Sequence, residues 1–136
     1  MGPWIITYIS TGVAFAGLDA AWLSFTTDRI YRPQIGGLML DSFRLPPAAL
    51  FYLIYIGGIV FLAIGPALAS GRWTMALLRG AVLGLVAYAT YDLTNQATLR
   101  GWSPTVTVAD LCWGIVATGA AASVGFQMMR WALARA

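Results

Sequence analysis

The chain has no histidine, no lysine and no glutamate, and its only cysteine is Cys112. Without imidazole there is no Ser-His or Cys-His nucleophile, and no histidine-held haem or zinc site is expected. Without lysine there is no Schiff base. A single cysteine cannot close an internal disulfide, and in an apolar run its thiol reads as a small hydrophobe. Charge is scarce as well: eight Arg and five Asp make up 10 % of the residues and leave a net charge of +3. These arginines lie beside apolar segments, without a basic patch interleaved with aromatics. That pattern suits lipid headgroups and excludes a nucleic-acid partner.

What is abundant is apolar surface, at 60 % hydrophobic residues and a mean hydropathy of +0.76. Four apolar runs, at about 4–26, 46–70, 75–99 and 104–128, each match the roughly 20 residues needed to cross a ~30 Å hydrocarbon core. The expected fold is all-α, one integral membrane domain over 1–136: a four-transmembrane-helix antiparallel bundle, up-down-up-down. Local chemistry sets the boundaries. Pro46-Pro47 opens the second run, Pro66 kinks it, and Ser70-Gly71-Arg72 turns the chain back. Arg100-Gly101 stops the third run, and Ser103-Pro104 reads as N-cap and first residue of the fourth. Between the first two runs a loop of about twenty residues is expected, from Thr27 to Leu45, too short to span. It lies in the interface or folds back over the bundle mouth. No cleavable leader is expected, since the N-terminus lacks a positive segment and the first run is long enough to remain as a span.

Inside these apolar runs sit a few polar groups. Gly80, Gly84, Tyr88, Asp92 and Asn95 follow one another at helical spacing and form one stripe that starts small and ends polar. A carboxylate at membrane depth costs about 2.5–3.5 kcal/mol even on lenient scales, so Asp92 must face protein or water. Two readings compete: Asp92 and Asn95 as packing glue between helices, or as part of a pocket. Depth favours the pocket. Asp19 is seven residues before Thr26, Asp92 eight before Arg100 and Asp110 six after Pro104. At 1.5 Å per residue each lies roughly 9–12 Å below one membrane face. Tyr52 and Tyr55 enter from the same face. The candidate ligand-binding set is therefore Asp19, Trp22, Tyr52, Tyr55, Tyr88, Tyr91, Asp92, Asn95, Asp110 and Trp113. No catalytic residue or metal ligand is assigned. Arg29, Arg32, Arg44 and Arg100 line the mouth, close enough for some to pair with the acids; such pairing would restore a structural reading. Gly114, Ala117 and Ala121 continue the Asp110 side as a small-residue contact face. Trp4, Trp73, Trp102 and Trp131 fit interfacial belts.

The segments Phe15-Ala-Gly-Leu-Asp19 and Tyr88-Ala-Thr-Tyr-Asp92 superpose on their acids, which is the pattern of a duplicated two-helix hairpin. At Asp19-x-x-Trp22-Leu23, Phe51-Tyr52-x-x-Tyr55, Tyr91-Asp-Leu-Thr-Asn-x-Ala-Thr98 with Trp102, and Asp110-x-x-Trp113-Gly114, nearly the whole chain resembles the DUF2177 family of small bacterial membrane proteins. The resemblance implies a four-helix integral membrane protein, without an established activity. Arginines divide four against four between the two faces. Both termini are placed in the cytoplasm because the opposite face carries the long loop and its acids.

Three functions fit these residues. The first is a binding or transport module in the bacterial inner membrane, holding a cation, a proton or the polar end of a lipidic molecule. The second is a membrane-embedded, lipid-modifying enzyme, in which three carboxylates and an amide hold a hard divalent ion or act as an acid/base pair. The third is an accessory subunit of a larger membrane complex. Membrane lipids are partners in every case, and a transporter of this size would need a homo-oligomer.

Overall fold

A computed structural model describes residues 1–136, which are helical throughout their ordered elements and include no strand. Four helices are long and apolar enough to cross a membrane: α1 Gly2–Leu38, α2 Leu45–Ser70, α3 Trp73–Thr98 and α4 Pro104–Leu133. They coincide with the four expected runs except at two ends. The fourth run continues to Leu133, and the first continues well beyond Thr26.

That second difference corrects the expected loop. Thr27–Tyr31 winds as a π-helix, Arg32–Ile35 returns to α, and Gly36–Leu38 tightens to a 3₁₀ turn. Only residues 39–44 connect α1 to α2 without helix. Nothing between Thr26 and Gly36 obliges the helix to stop: Asp28 and Arg32 pair at 2.9 Å one turn apart, and Pro33, which has no N–H for the Arg29 carbonyl, follows the π winding of Thr27–Tyr31. The glycine pair ends the helix rather than filling a loop. The extension lies against the start of α4, where the Ser103 hydroxyl donates to Gln34 Oε1 at 2.8 Å.

The irregularity expected at Pro66 also takes a specific form. Proline has no N–H for the Leu62 carbonyl, and the chain widens into a π segment over Ile59–Ile64 before resuming as α over Gly65–Ser70. Arg79 of α3 brings Nη1 to 3.5 Å from the Leu62 oxygen. Gly71 then adopts φ 65°, a left-handed residue that ends α2 and lets α3 begin two residues later.

α4 is the helix that the others pack on. It contacts α1, α3 and the π segment of α2, and its buried residues Gly114, Ala117, Thr118, Ala121, Ala122 and Gly125 are nearly all small. Lipid chains are as apolar as leucine, so close backbone approach rather than hydrophobic burial holds such helices together. The α3–α4 contact shows how close this is. A Cβ placed on Gly84 would stand 2.0 Å from the Gly114 carbonyl oxygen, and one on Gly80 would stand 2.7 Å from Ala122 Cβ. On the α1 side, a Cβ on Gly125 would lie 2.1 Å from Thr11 Oγ1. Thr7 and Thr11 are fully buried there, each donating to a carbonyl of its own helix at 2.7 Å. Large Ile, Leu, Val and Phe side chains face outward, as expected where the surrounding solvent is hydrocarbon.

Gly84→Ala therefore forces α3 away from α4 and is expected to cost about 1–3 kcal/mol, the usual range for overpacking. Gly17→Ala, whose Cβ meets nothing within 4 Å, serves as the control. Denaturant unfolding in detergent micelles separates them; equal stability of both variants would contradict the packing described.

Candidate functional site

Two of the intramembrane acids are held by aromatic donors from other helices. Asp19 of α1 accepts from the Tyr52 hydroxyl of α2 at Oδ2 and from Trp113 Nε1 of α4 at 3.2 Å on Oδ1. Asp110 of α4 accepts from the Tyr31 hydroxyl, and Tyr31 in turn accepts from Trp22 Nε1 at 2.9 Å. The rings of Trp22 and Trp113 stack with centroids 4.6 Å apart and planes 5° from parallel. Asp19-x-x-Trp22 and Asp110-x-x-Trp113 thus serve one another: each tryptophan supports the acid of the opposite helix, Trp113 directly and Trp22 through Tyr31. This correspondence joins α1 to α4. The likeness of 15–19 to 88–92 finds no counterpart in these bonds, because no tyrosine or tryptophan donates to Asp92.

Asp92 is the exception among the acids. It is fully buried, it neighbours Asp110, and neither of its carboxyl oxygens meets a protein donor. Two adjacent carboxylates are both acceptors, so something carrying a proton or a positive charge has to stand between or beside them. No arginine does so. The chain's one ion pair is Arg32 with Asp28, and Arg29 lies over the Phe25 ring and donates to the Phe25 carbonyl at 2.8 Å. No mouth arginine pairs with the buried acids; tyrosine and tryptophan donors meet Asp19 and Asp110 instead.

The other expected site residues are spread around this centre. Tyr88 is half-buried with Asp19, Tyr52, Tyr55 and Asp110 as neighbours. Tyr55 is buried deeper; its hydroxyl bonds Thr118 Oγ1 at 2.7 Å, and its ring packs against Phe15 and Phe51 at 5.2 and 5.1 Å. It belongs to the core beneath the acids. Tyr91 is exposed and meets Trp102 edge-on at 5.8 Å. Asn95 is half-buried one turn beyond Asp92, and its side chain makes no hydrogen bond to the acids. A groove of about 320 Å³, lined by Phe51, Ala87, Tyr88, Tyr91 and Asp110, opens at the outer surface where Phe51 and Tyr91 are exposed. Asp19, engaged by Tyr52 and Trp113, does not join the other two acids in a ligand set: no group of three or more His, Cys, Asp or Glu is placed to hold a metal ion.

Tyr31 is the residue sequence reasoning missed. It stood in the stretch read as a loop, and nine residues after Trp22 an unbroken α-helix would carry it about half a turn away. The π winding of Thr27–Tyr31 changes that phase, and the two side chains meet. The available signal was modest: Tyr31 is the only tyrosine between the first and second apolar runs.

Removing one hydroxyl from these networks has a predictable size. Tyr31→Phe and Tyr52→Phe are each expected to cost about 0.6–1.7 kcal/mol, the range for polar contacts between membrane helices. Tyr91→Phe, exposed and packed only through its ring, is expected to cost nothing measurable. Unfolding in mixed micelles reads the three side by side; a loss at Tyr91 equal to that at Tyr31 would contradict the assignment.

The chain matches the family described as "Predicted membrane protein (DUF2177)" over residues 4–127. No curated protein and no solved structure matches it. The match takes in the greater part of all four spanning helices and every residue of the acidic centre, so the chain belongs to the DUF2177 family of membrane proteins.

Proposed function

We propose that this protein binds a small or lipidic ligand within the membrane, at the groove whose floor is Asp110 and behind which Asp92 lies. The observation that carries the reading is the buried, unpartnered Asp92 carboxyl. Placing an acid at this depth costs several kcal/mol, and a neutral amide would serve equally well as packing glue. Asp19 and Asp110 recover that cost through tyrosine and tryptophan donors. Asp92 has no such donor and only the Asp110 carboxyl beside it, which fits a group whose further partner arrives with a ligand.

In this reading the protein sits in the inner membrane of a bacterium. Both termini are placed in the cytoplasm, and the acidic centre lies nearer the opposite face. Four helices with a small-residue interior leave no room for a complete permeation path, so a single copy is a binding module; transport would require copies to assemble. Catalysis on a divalent ion loses support because Asp19 stands apart from the other acids.

Native mass spectrometry of the full chain, extracted gently from its own membrane, tests the proposal. Wild type is expected to retain a small molecule or lipid at fixed stoichiometry, and Asp92→Asn, folded and inserted alike, to lose it. An identical unliganded mass for both proteins would overturn the reading.

A further inference from the structure

The geometry points to a ligand class: a lipid-soluble primary amine, with its ammonium group on the Asp110 carboxyl that lines the groove, the buried Asp92 carboxyl next to it adding negative charge, and its alkyl chain leaving the groove into lipid. This inference rests on the ligand-binding reading above. Four observations support it together. The pair brings two carboxyls side by side, with no lysine or histidine in the chain and no arginine within bonding reach. An anionic end, carboxylate or phosphate, would meet repulsion there and find no cation to offset it.

Second, both oxygens of Asp92 lack donors. An ammonium brings three N–H donors and one positive charge, matching an acceptor-only site in number and in sign, whereas an alcohol brings one donor and no charge. Third, the groove above Asp110 is walled by Phe51, Tyr88 and Tyr91. Aromatic side chains around an acid stabilise an organic cation more than a neutral head group. Fourth, the volume of about 320 Å³ is at the small end for ligand sites and opens at the exposed rings of Phe51 and Tyr91. It takes a head group and a few methylenes, and the rest of a chain extends outward into hydrocarbon.

Tyr31 and Asp110 hold the floor of this site in place. Asp92→Asn is the variant of choice, since an amide keeps the shape and the contact with Asp110 while removing the charge. The full chain in lipid nanodiscs is titrated with dodecylamine, dodecanol and dodecanoate, and retention is read by native mass spectrometry. Dodecylamine is expected to bind at least tenfold more tightly than dodecanol, with no retention of dodecanoate. Asp92→Asn is expected to weaken the amine tenfold or more and to leave dodecanol unchanged. Phe51→Ala, at the rim of the groove and checked for folding by unfolding in micelles, is expected to weaken the amine severalfold.

Equal amine retention by wild type, Asp92→Asn and Phe51→Ala would mark simple partition into lipid and overturn the inference. Dodecanol or dodecanoate bound as tightly as the amine would overturn the amine while leaving a ligand-binding groove. Retention of none of the three would overturn both.

Discussion

Hydrocarbon offers no hydrogen bonds, so each polar group placed at membrane depth must be met from within the protein. The Asp19 and Asp110 networks are this fold's answer. An acid on α1 takes its donors from α2 and α4, and an acid on α4 takes its donor from the extended end of α1. The stacked indoles of Trp22 and Trp113 lie between them and couple the two networks. Burial of apolar area gives little drive toward helix association in lipid. The bundle relies instead on these crossed bonds near one face and on backbone contact between Gly84 and Gly114 lower down. One end is held by polar specificity and the other by small side chains.

Against that background Asp92 stands out by contrast. It shares a helix face with Gly80 and Gly84, so the same stripe that brings α3 close to α4 delivers the carboxyl next to Asp110. The packing that secures the fold therefore also isolates an acid pair beside a groove.

Much of this was legible in the sequence, for identifiable reasons. The four spans follow from run length, and Pro46-Pro47, Ser70-Gly71-Arg72 and Ser103-Pro104 mark their ends because backbone chemistry at those residues is local. The shared depth of Asp19, Asp92 and Asp110 followed from counting residues at a fixed rise. What was not legible depends on winding. A π turn has no reliable sequence mark, so the phase of Tyr31 was hidden and its partnership with Asp110 with it. Which donors meet the acids was open as well: the mouth arginines were near enough to compete, whereas the helices present tyrosine and tryptophan at the right height. Tyr55 shares that height yet turns toward Thr118, a choice set by its position around the helix.

The central claim is that Asp92 contributes nothing to the resting fold that an amide would not. The unfolding free energy of Asp92→Asn, measured in mixed micelles beside that of Asp19→Asn, tests it most directly. The account predicts that Asp92→Asn is as stable as wild type or more so, while Asp19→Asn loses stability because its tyrosine and tryptophan donors lose a charged acceptor. A loss at Asp92 equal to that at Asp19 would contradict the account and return Asp92 to a structural role.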